Sequence, residues 1–302
     1  MSSALLAALR GAVEAAVLPA AVGYPAIGLL NRAQALVTST VARAGAVFVE
    51  AVYPMLPRSS GDPPRYARHA TLLVQALLLI VVPGVLFVGL EGGSLLRLLY
   101  GARWLAAEPL IWPAVVASLG VGLFGAGSMV LLAANALRTC FALDVLAAAV
   151  SVPLVAVAWA GGGIVGYAWA AAAAQLVAGA VALVTASARL ERHWIRSVAL
   201  PPMVSTALAS GAVFVLDASG LVAGPTSRLL LAAGVYVATI ALSLRGLFPA
   251  PLASVIHRVP GGATLNAWLR LPGPPAELLG GVAGLAEQGS ARGSRGSWSP
   301  GG

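Results

Sequence analysis

Four residues of one apolar stretch, Arg32, Ser39, Arg43 and Glu50, follow one another at spacings of seven, four and seven. At 100° per residue they project within an arc of about 40°, so a helix over 26–54 carries them as one stripe. Asn31, Gln34 and Thr38 add polar character to its first half. A charge at mid-bilayer costs at least about 2.5–3.5 kcal/mol, so the stripe must face protein or water rather than lipid. Two uses stay open. Arg32 and Glu50 lie near the ends of the stretch and could snorkel to the two interfaces. Alternatively Arg32, Ser39, Arg43 and Glu50 line the route of a polar, anionic substrate, with Arg43 the more deeply placed cation.

Other chemistry is largely excluded. His69, His193 and His257 fall in connections or in the tail, without metal-ligand spacing. The chain has no Lys, and therefore no phosphate-loop lysine. Its ten acidic residues are scattered, and no pair suggests general acid–base work. Cys140 is alone, which rules out a disulfide framework. No catalytic residue, metal or cofactor is expected, and the protein reads as a non-enzyme. Asp144 and Asp217 are single acids in or near spans, serving either interhelical bonds or a coupling ion. Arg10 and Glu14 stand one turn apart and can neutralise each other.

The elements that position these residues follow from composition. Of 302 residues 59% are hydrophobic and 9% charged, with a mean hydropathy of +0.91; soluble domains carry roughly 25% charge. Apolar runs of about 20 residues recur, each long enough to cross a bilayer. Strand alternation is missing, so the fold class is all-α: a polytopic membrane bundle. About eight segments are expected, near 3–21, 26–54, 70–90, 109–134, 139–160, 164–187, 200–221 and 228–248. Pro83, Pro113, Pro153 and Pro201–Pro202 mark expected kinks. The bundle takes up 1–248, and a Gly/Pro/Ser-rich tail, 249–302, reads as a flexible extension.

Loop arginines set the orientation. Arg58, Arg65 and Arg68, then Arg138, then Arg189, Arg192 and Arg196 outnumber Arg97, Arg103 and Arg228 on the other side. Loops 55–69, 135–138 and 188–199 and both termini should be cytoplasmic, and loop 91–108 external. Tyr53, Tyr100, Trp104, Trp112, Trp159 and Trp194 fall near span ends, as an interfacial belt requires. The net charge of +8 is read as topology, not as nucleic-acid binding.

Three stretches in order, "VGYPAIGLLNRAQAL", "VYPMLPRSSGDPPRYAR" and "LLRLLYGARWLAAEPLIWPAV", resemble the second half of polysaccharide (O-antigen type) flippases. These belong to the multidrug/oligosaccharidyl-lipid/polysaccharide exporter superfamily. The resemblance implies an inner-membrane carrier of lipid-linked oligosaccharide for envelope polysaccharide, including lipopolysaccharide O-antigen, working by alternating access. It also implies a cationic cavity in which arginines pair with the substrate diphosphate; Arg32 lies directly in a matching motif. Family members have twelve to fourteen spans, so the chain corresponds to one bundle. That leaves room for a half-length carrier or scaffold needing a second chain or a homodimer, and for a small-molecule drug exporter of the same superfamily. The expected partners are lipid-linked oligosaccharide and membrane lipids.

Overall fold

The computed structural model describes residues 2–151, 153–219 and 225–248. The expected tail, 249–302, lies outside the described residues, as do the side chains of residues 40–52. Every described element is helical. Helix α1 (Ser2–Val22) is followed by α2 (Tyr24–Val52) and a single turn, α3 (Met55–Arg58). The longest element, α4 (Pro63–Tyr100), runs into a 3-10 helix, Ala102–Leu110, and then α5 (Ile111–Ala133). After it come α6 (Leu137–Ser151), α7 (Leu154–Val157), a π-helical turn (Ala158–Gly162) and α8 (Gly163–Ser187). A second π-helical turn, Ile195–Ala199, leads to α9 (Leu200–Ser219), and α10 (Pro225–Leu247) closes the series.

Five stretches are long and apolar enough to cross a membrane: Pro63–Tyr100, Ala102–Ala133, Ala160–Ser187, Ile195–Ser219 and Thr226–Leu247. The protein is thus a multi-pass, all-α membrane bundle. All eight expected segments are helical. Helix α6 is too short to count among them, with only 15 residues. Phe214, Leu230 and Leu242 are largely exposed, the outer surface that lipid tails cover in place of water.

Two boundaries differ from expectation. The span ending near residue 90 continues as helix to Tyr100, so α4 has 38 residues and is about 57 Å long. Gly92 and Gly93 read as the start of a loop, yet both are helical and serve packing. A Cβ on Gly92 would run into Ile111, and one on Gly93 would lie 2.7 Å from Glu108 Oε1. The helix ends about two turns later, at Gly101, whose φ of 89° no L side chain adopts easily. At its other end α4 starts seven residues earlier than the loop 55–69 allowed. Asp62 caps it, accepting from the Arg65 N–H at 3.2 Å, and Pro63 and Pro64 occupy the first turn. His69, expected in that loop, is buried in α4 with Nδ1 3.2 Å from Ser59 Oγ.

Of the expected proline kinks, Pro153 alone separates two helices, α6 and α7. Pro113, Pro201 and Pro202 sit in first turns, where the missing N–H is not needed. Pro83 lies inside α4; its carbonyl accepts from the buried Tyr236 hydroxyl of α10 at 2.9 Å. Phe87 and Tyr236 pack there as a tilted ring pair 5.1 Å apart, which docks the α9–α10 pair on α4.

Helices α5 and α8 cross most closely. Gly120 lies against the Gln175 backbone, a Cβ on Gly127 would lie 2.7 Å from the Ala182 carbonyl, and Gly179 lies against the Gly120 carbonyl. Without a hydrophobic drive between helices in lipid, such small-residue contacts supply the dispersion that holds helices together. One apolar cluster, including Leu36, Val85, Leu110 and Val115, packs α2, α4 and α5. A second, including Leu56, Leu73, Val130 and Leu190, closes the other end, where the Tyr66 hydroxyl donates to the Val130 carbonyl.

Candidate functional site

Between α1, α2, α4, α5 and α8 lies a half-open cavity of about 700 Å³. Gly23, with φ 81°, breaks the chain between α1 and α2, and its N–H returns to the Pro19 carbonyl at 2.9 Å. The break lets both helices line the same space. The tight α5–α8 crossing forms the opposite wall. Leu18, Ile27, Val81 and Val85 make the apolar part of the lining.

The polar part is amide and hydroxyl. Asn31, Gln34 and Gln175 bring carboxamides, while Tyr24, Thr38, Ser118 and Tyr167 bring hydroxyls. A carboxamide both donates and accepts, so this set suits a cargo rich in hydroxyl groups. Thr38 spends its own proton on the Gln34 carbonyl at 2.9 Å, leaving the oxygen to accept. Among the described residues the lining holds one charged side chain, Glu14, and no arginine.

The expected stripe lies elsewhere on α2. The seven cavity-lining residues of that helix centre about 150° away from the direction shared by Arg32, Ser39, Arg43 and Glu50. Arg32 turns onto the aromatic pair that follows α4, its guanidinium carbon 5.4 Å from the Tyr100 ring centre and 5.1 Å from that of Trp104. The Arg103 guanidinium carbon also lies over Trp104, 5.7 Å from its ring centre. This is a cation–π clamp between two of the three motif stretches. Ser39 is exposed, its hydroxyl directed to the Leu36 carbonyl at 3.4 Å. The side chains of Arg43 and Glu50 fall outside the described residues. Among the described side chains, Arg32 and Ser39 do not line the cavity, whereas Asn31, Gln34 and Thr38, which sequence reasoning placed as neighbours of the stripe, do. Glu14 and Gln175 were not expected there, because nothing local shows which face of α1 or α8 turns inward.

Among the described residues no cluster of His, Cys, Asp and Glu could hold a metal ion. Asp217 forms an interhelical pair, accepting from Arg228 Nε at 2.8 Å and Nη2 at 2.7 Å.

The described helices form a membrane bundle with a half-open cavity whose lining is part polar and part apolar. Its fold is similar to that of a solved structure titled "Lipid II flippase MurJ, inward closed conformation", with a TM-score of 0.60 at 14% identity. The match covers 82% of this chain and 53% of that one, so the chain spans about half the length of that flippase. Residues 1–109 match the family described as polysaccharide biosynthesis protein; they include α1, α2 and α4, which carry half of the cavity wall. No curated protein matches the chain in sequence.

Proposed function

We propose that this protein is a flippase that moves a lipid-linked oligosaccharide across the bacterial inner membrane for envelope polysaccharide. The cavity carries the reading: about 700 Å³, part apolar and part carboxamide and hydroxyl, on helices that match the polysaccharide biosynthesis family. On this reading Asn31, Gln34 and Gln175 bind sugar hydroxyls. Arg32, Arg43, Ser39 and Glu50 lie on the far face of α2, about 150° from the cavity-lining direction, and on this reading its arginines meet the phosphates of the cargo. That polar face also needs cover within a bilayer, which favours action beside a second helical bundle, from the same polypeptide or another. The arginine-rich end of the bundle, with both termini, is assigned to the cytoplasm.

Reconstitution tests this. Proteoliposomes should translocate a fluorescent lipid-linked oligosaccharide, and Asn31→Leu with Gln34→Leu should reduce the rate at least about tenfold, the worth of about 1.4 kcal/mol. Unchanged flipping in that double variant removes the cavity from the mechanism. Glu14 gives the drug-exporter reading one foothold, since a cavity carboxylate suits cationic cargo. Transport of a lipophilic cation that Glu14→Gln abolishes, with no oligosaccharide flipping, would establish that alternative.

A further inference from the structure

Away from the transport cavity, a second hollow of about 450 Å³ opens where α4, the 3-10 helix and α10 meet. Its polar lining is Ser94 and Arg97 of α4, Glu108 of the 3-10 helix, and Thr226 and Arg228 of α10. Arg228 is already committed. Both oxygens of Asp217 hold it, at 2.8 and 2.7 Å, and the buried Glu91 lies 3.6 Å from it. The other four differ. Among the described residues no hydrogen bond or ion pair engages the side chains of Ser94, Arg97, Glu108 and Thr226. Helical hydroxyls elsewhere return to their own helix, as those of Thr185, Ser187 and Ser243 do.

The uncommitted charges are thus one cation and one anion on the walls of one space. Arg97 belongs to the last turn of α4, and Glu108, seated over Gly93, to the next element. Neighbouring charges are engaged elsewhere or distant. Arg103 lies over Trp104, and Arg32 over Tyr100 and Trp104. Residues 220–224, between α9 and α10, carry no charge. On α2, Arg43 and Glu50 stand eleven and eighteen residues beyond Arg32, about 16 and 27 Å further along the helix. An anionic group in the hollow would therefore meet Glu108 as well as Arg97, and a cation would meet Arg97 as well as Glu108. A zwitterion satisfies both. Tyr100 and Trp104 mark headgroup depth, and Leu98, Leu105 and Leu229 complete the lining with apolar surface.

We propose that this hollow binds the headgroup of a zwitterionic phospholipid with a primary ammonium, the phosphoethanolamine class. The phosphate lies against Arg97, with the Ser94 and Thr226 hydroxyls donating to it, and the ammonium donates to Glu108. The acyl chains leave over Leu98, which is 54% exposed. A quaternary ammonium fits less well, because it has no N–H to donate and seeks aromatic faces; the two rings here are covered by guanidinium groups. The bound lipid joins α4, the 3-10 helix and α10, whatever cargo is carried.

Native mass spectrometry on the full chain in mild detergent tests the assignment, with ethanolamine, choline and glycerol phospholipids of identical acyl chains. The ethanolamine lipid should be retained about tenfold better than the choline lipid, the worth of one charge-assisted hydrogen-bonded contact, and better than the glycerol lipid. Glu108→Gln should lower it to the level of the choline lipid and raise retention of the glycerol lipid, which that carboxylate repels. Arg97→Gln should lower retention of all three. Arg103→Gln removes an exposed arginine outside the lining and should change nothing. These variants replace exposed side chains and should unfold at the parent's temperature when no lipid is added, which separates lost binding from lost folding. Equal retention of ethanolamine and choline lipids, or an ethanolamine preference that survives Glu108→Gln, overturns the proposal. Preference for the glycerol lipid does the same, as does a loss in Arg103→Gln equal to that in Arg97→Gln. Soluble phosphoethanolamine that competes as well as the lipid at equal concentration would also overturn it, in favour of a free phosphate ester.

Discussion

Replacing Gly120 by Ala adds one methyl group to a surface helix, and the structure makes it costly. The new Cβ would sit against the carbonyl carbon and oxygen of Gln175, inside van der Waals contact with backbone rather than with a movable side chain. Relief requires α5 and α8 to separate along their crossing. That loosens the reciprocal contacts at Gly127 and Gly179 as well. Overpacking costs typically 1–3 kcal/mol, and an obstacle made of backbone places this case toward about 3. Gly125, on the same helix, provides the internal control, because a Cβ there meets nothing within 4 Å. In it the same substitution only removes a flexible residue from a helix, a gain of roughly 0.5–1 kcal/mol. The two variants should thus move in opposite directions. Thermal unfolding in mild detergent, followed by the monodisperse fraction on size exclusion, measures both. Equal stability of Gly120→Ala and Gly125→Ala would refute the close α5–α8 crossing.

Further outcomes follow from particular contacts. Tyr236→Phe removes the buried hydroxyl that reaches the Pro83 carbonyl, and should lower stability by about 1 kcal/mol in the same thermal assay. Asp62→Ala removes the α4 cap at a cost of about 0.5–2 kcal/mol; hydrogen exchange should rise at the Arg65 and Tyr66 amides while the helix beyond them keeps its protection. Arg32→Ala should lose about 0.5–1 kcal/mol through the two ring contacts and alter Trp104 emission. Arg32→Lys, keeping the charge, should recover part of both effects.

Much of the architecture was legible without coordinates. Apolar length and the lack of strand alternation determine the helical membrane class, because each span must satisfy its own backbone inside lipid. Seven of the eight segments lie within a few residues of helices, while the third, expected at 70–90, extends to Pro63–Tyr100 and ends at Gly101, where a positive φ is useful. The misreadings share one cause. Gly92, Gly93 and Glu91 look like a loop when counted locally, since glycine and charge both argue against a span. Their meaning depends on Ile111, Glu108 and Arg228, which are distant in sequence. His69 was assigned to a loop for the same reason: its partner, Ser59, becomes visible only once α3 folds back on α4.

The α2 stripe shows where sequence stops. Periodicity states that Arg32, Ser39, Arg43 and Glu50 share a face, and that the face must avoid lipid. It cannot state which neighbour the face meets, because a helix has no marked direction until others pack around it. Packing turned Asn31, Gln34 and Thr38 toward the cavity and Arg32 toward Tyr100 and Trp104. Sequence alone determined a multi-pass helical membrane protein with intramembrane charge to satisfy, since transfer free energies are properties of single segments. Only the tertiary structure decided that the cavity is lined by carboxamides, hydroxyls and Glu14, and that Glu91 shares Arg228 with Asp217. Both arrangements join residues on three or more helices, and no local interaction encodes that assembly.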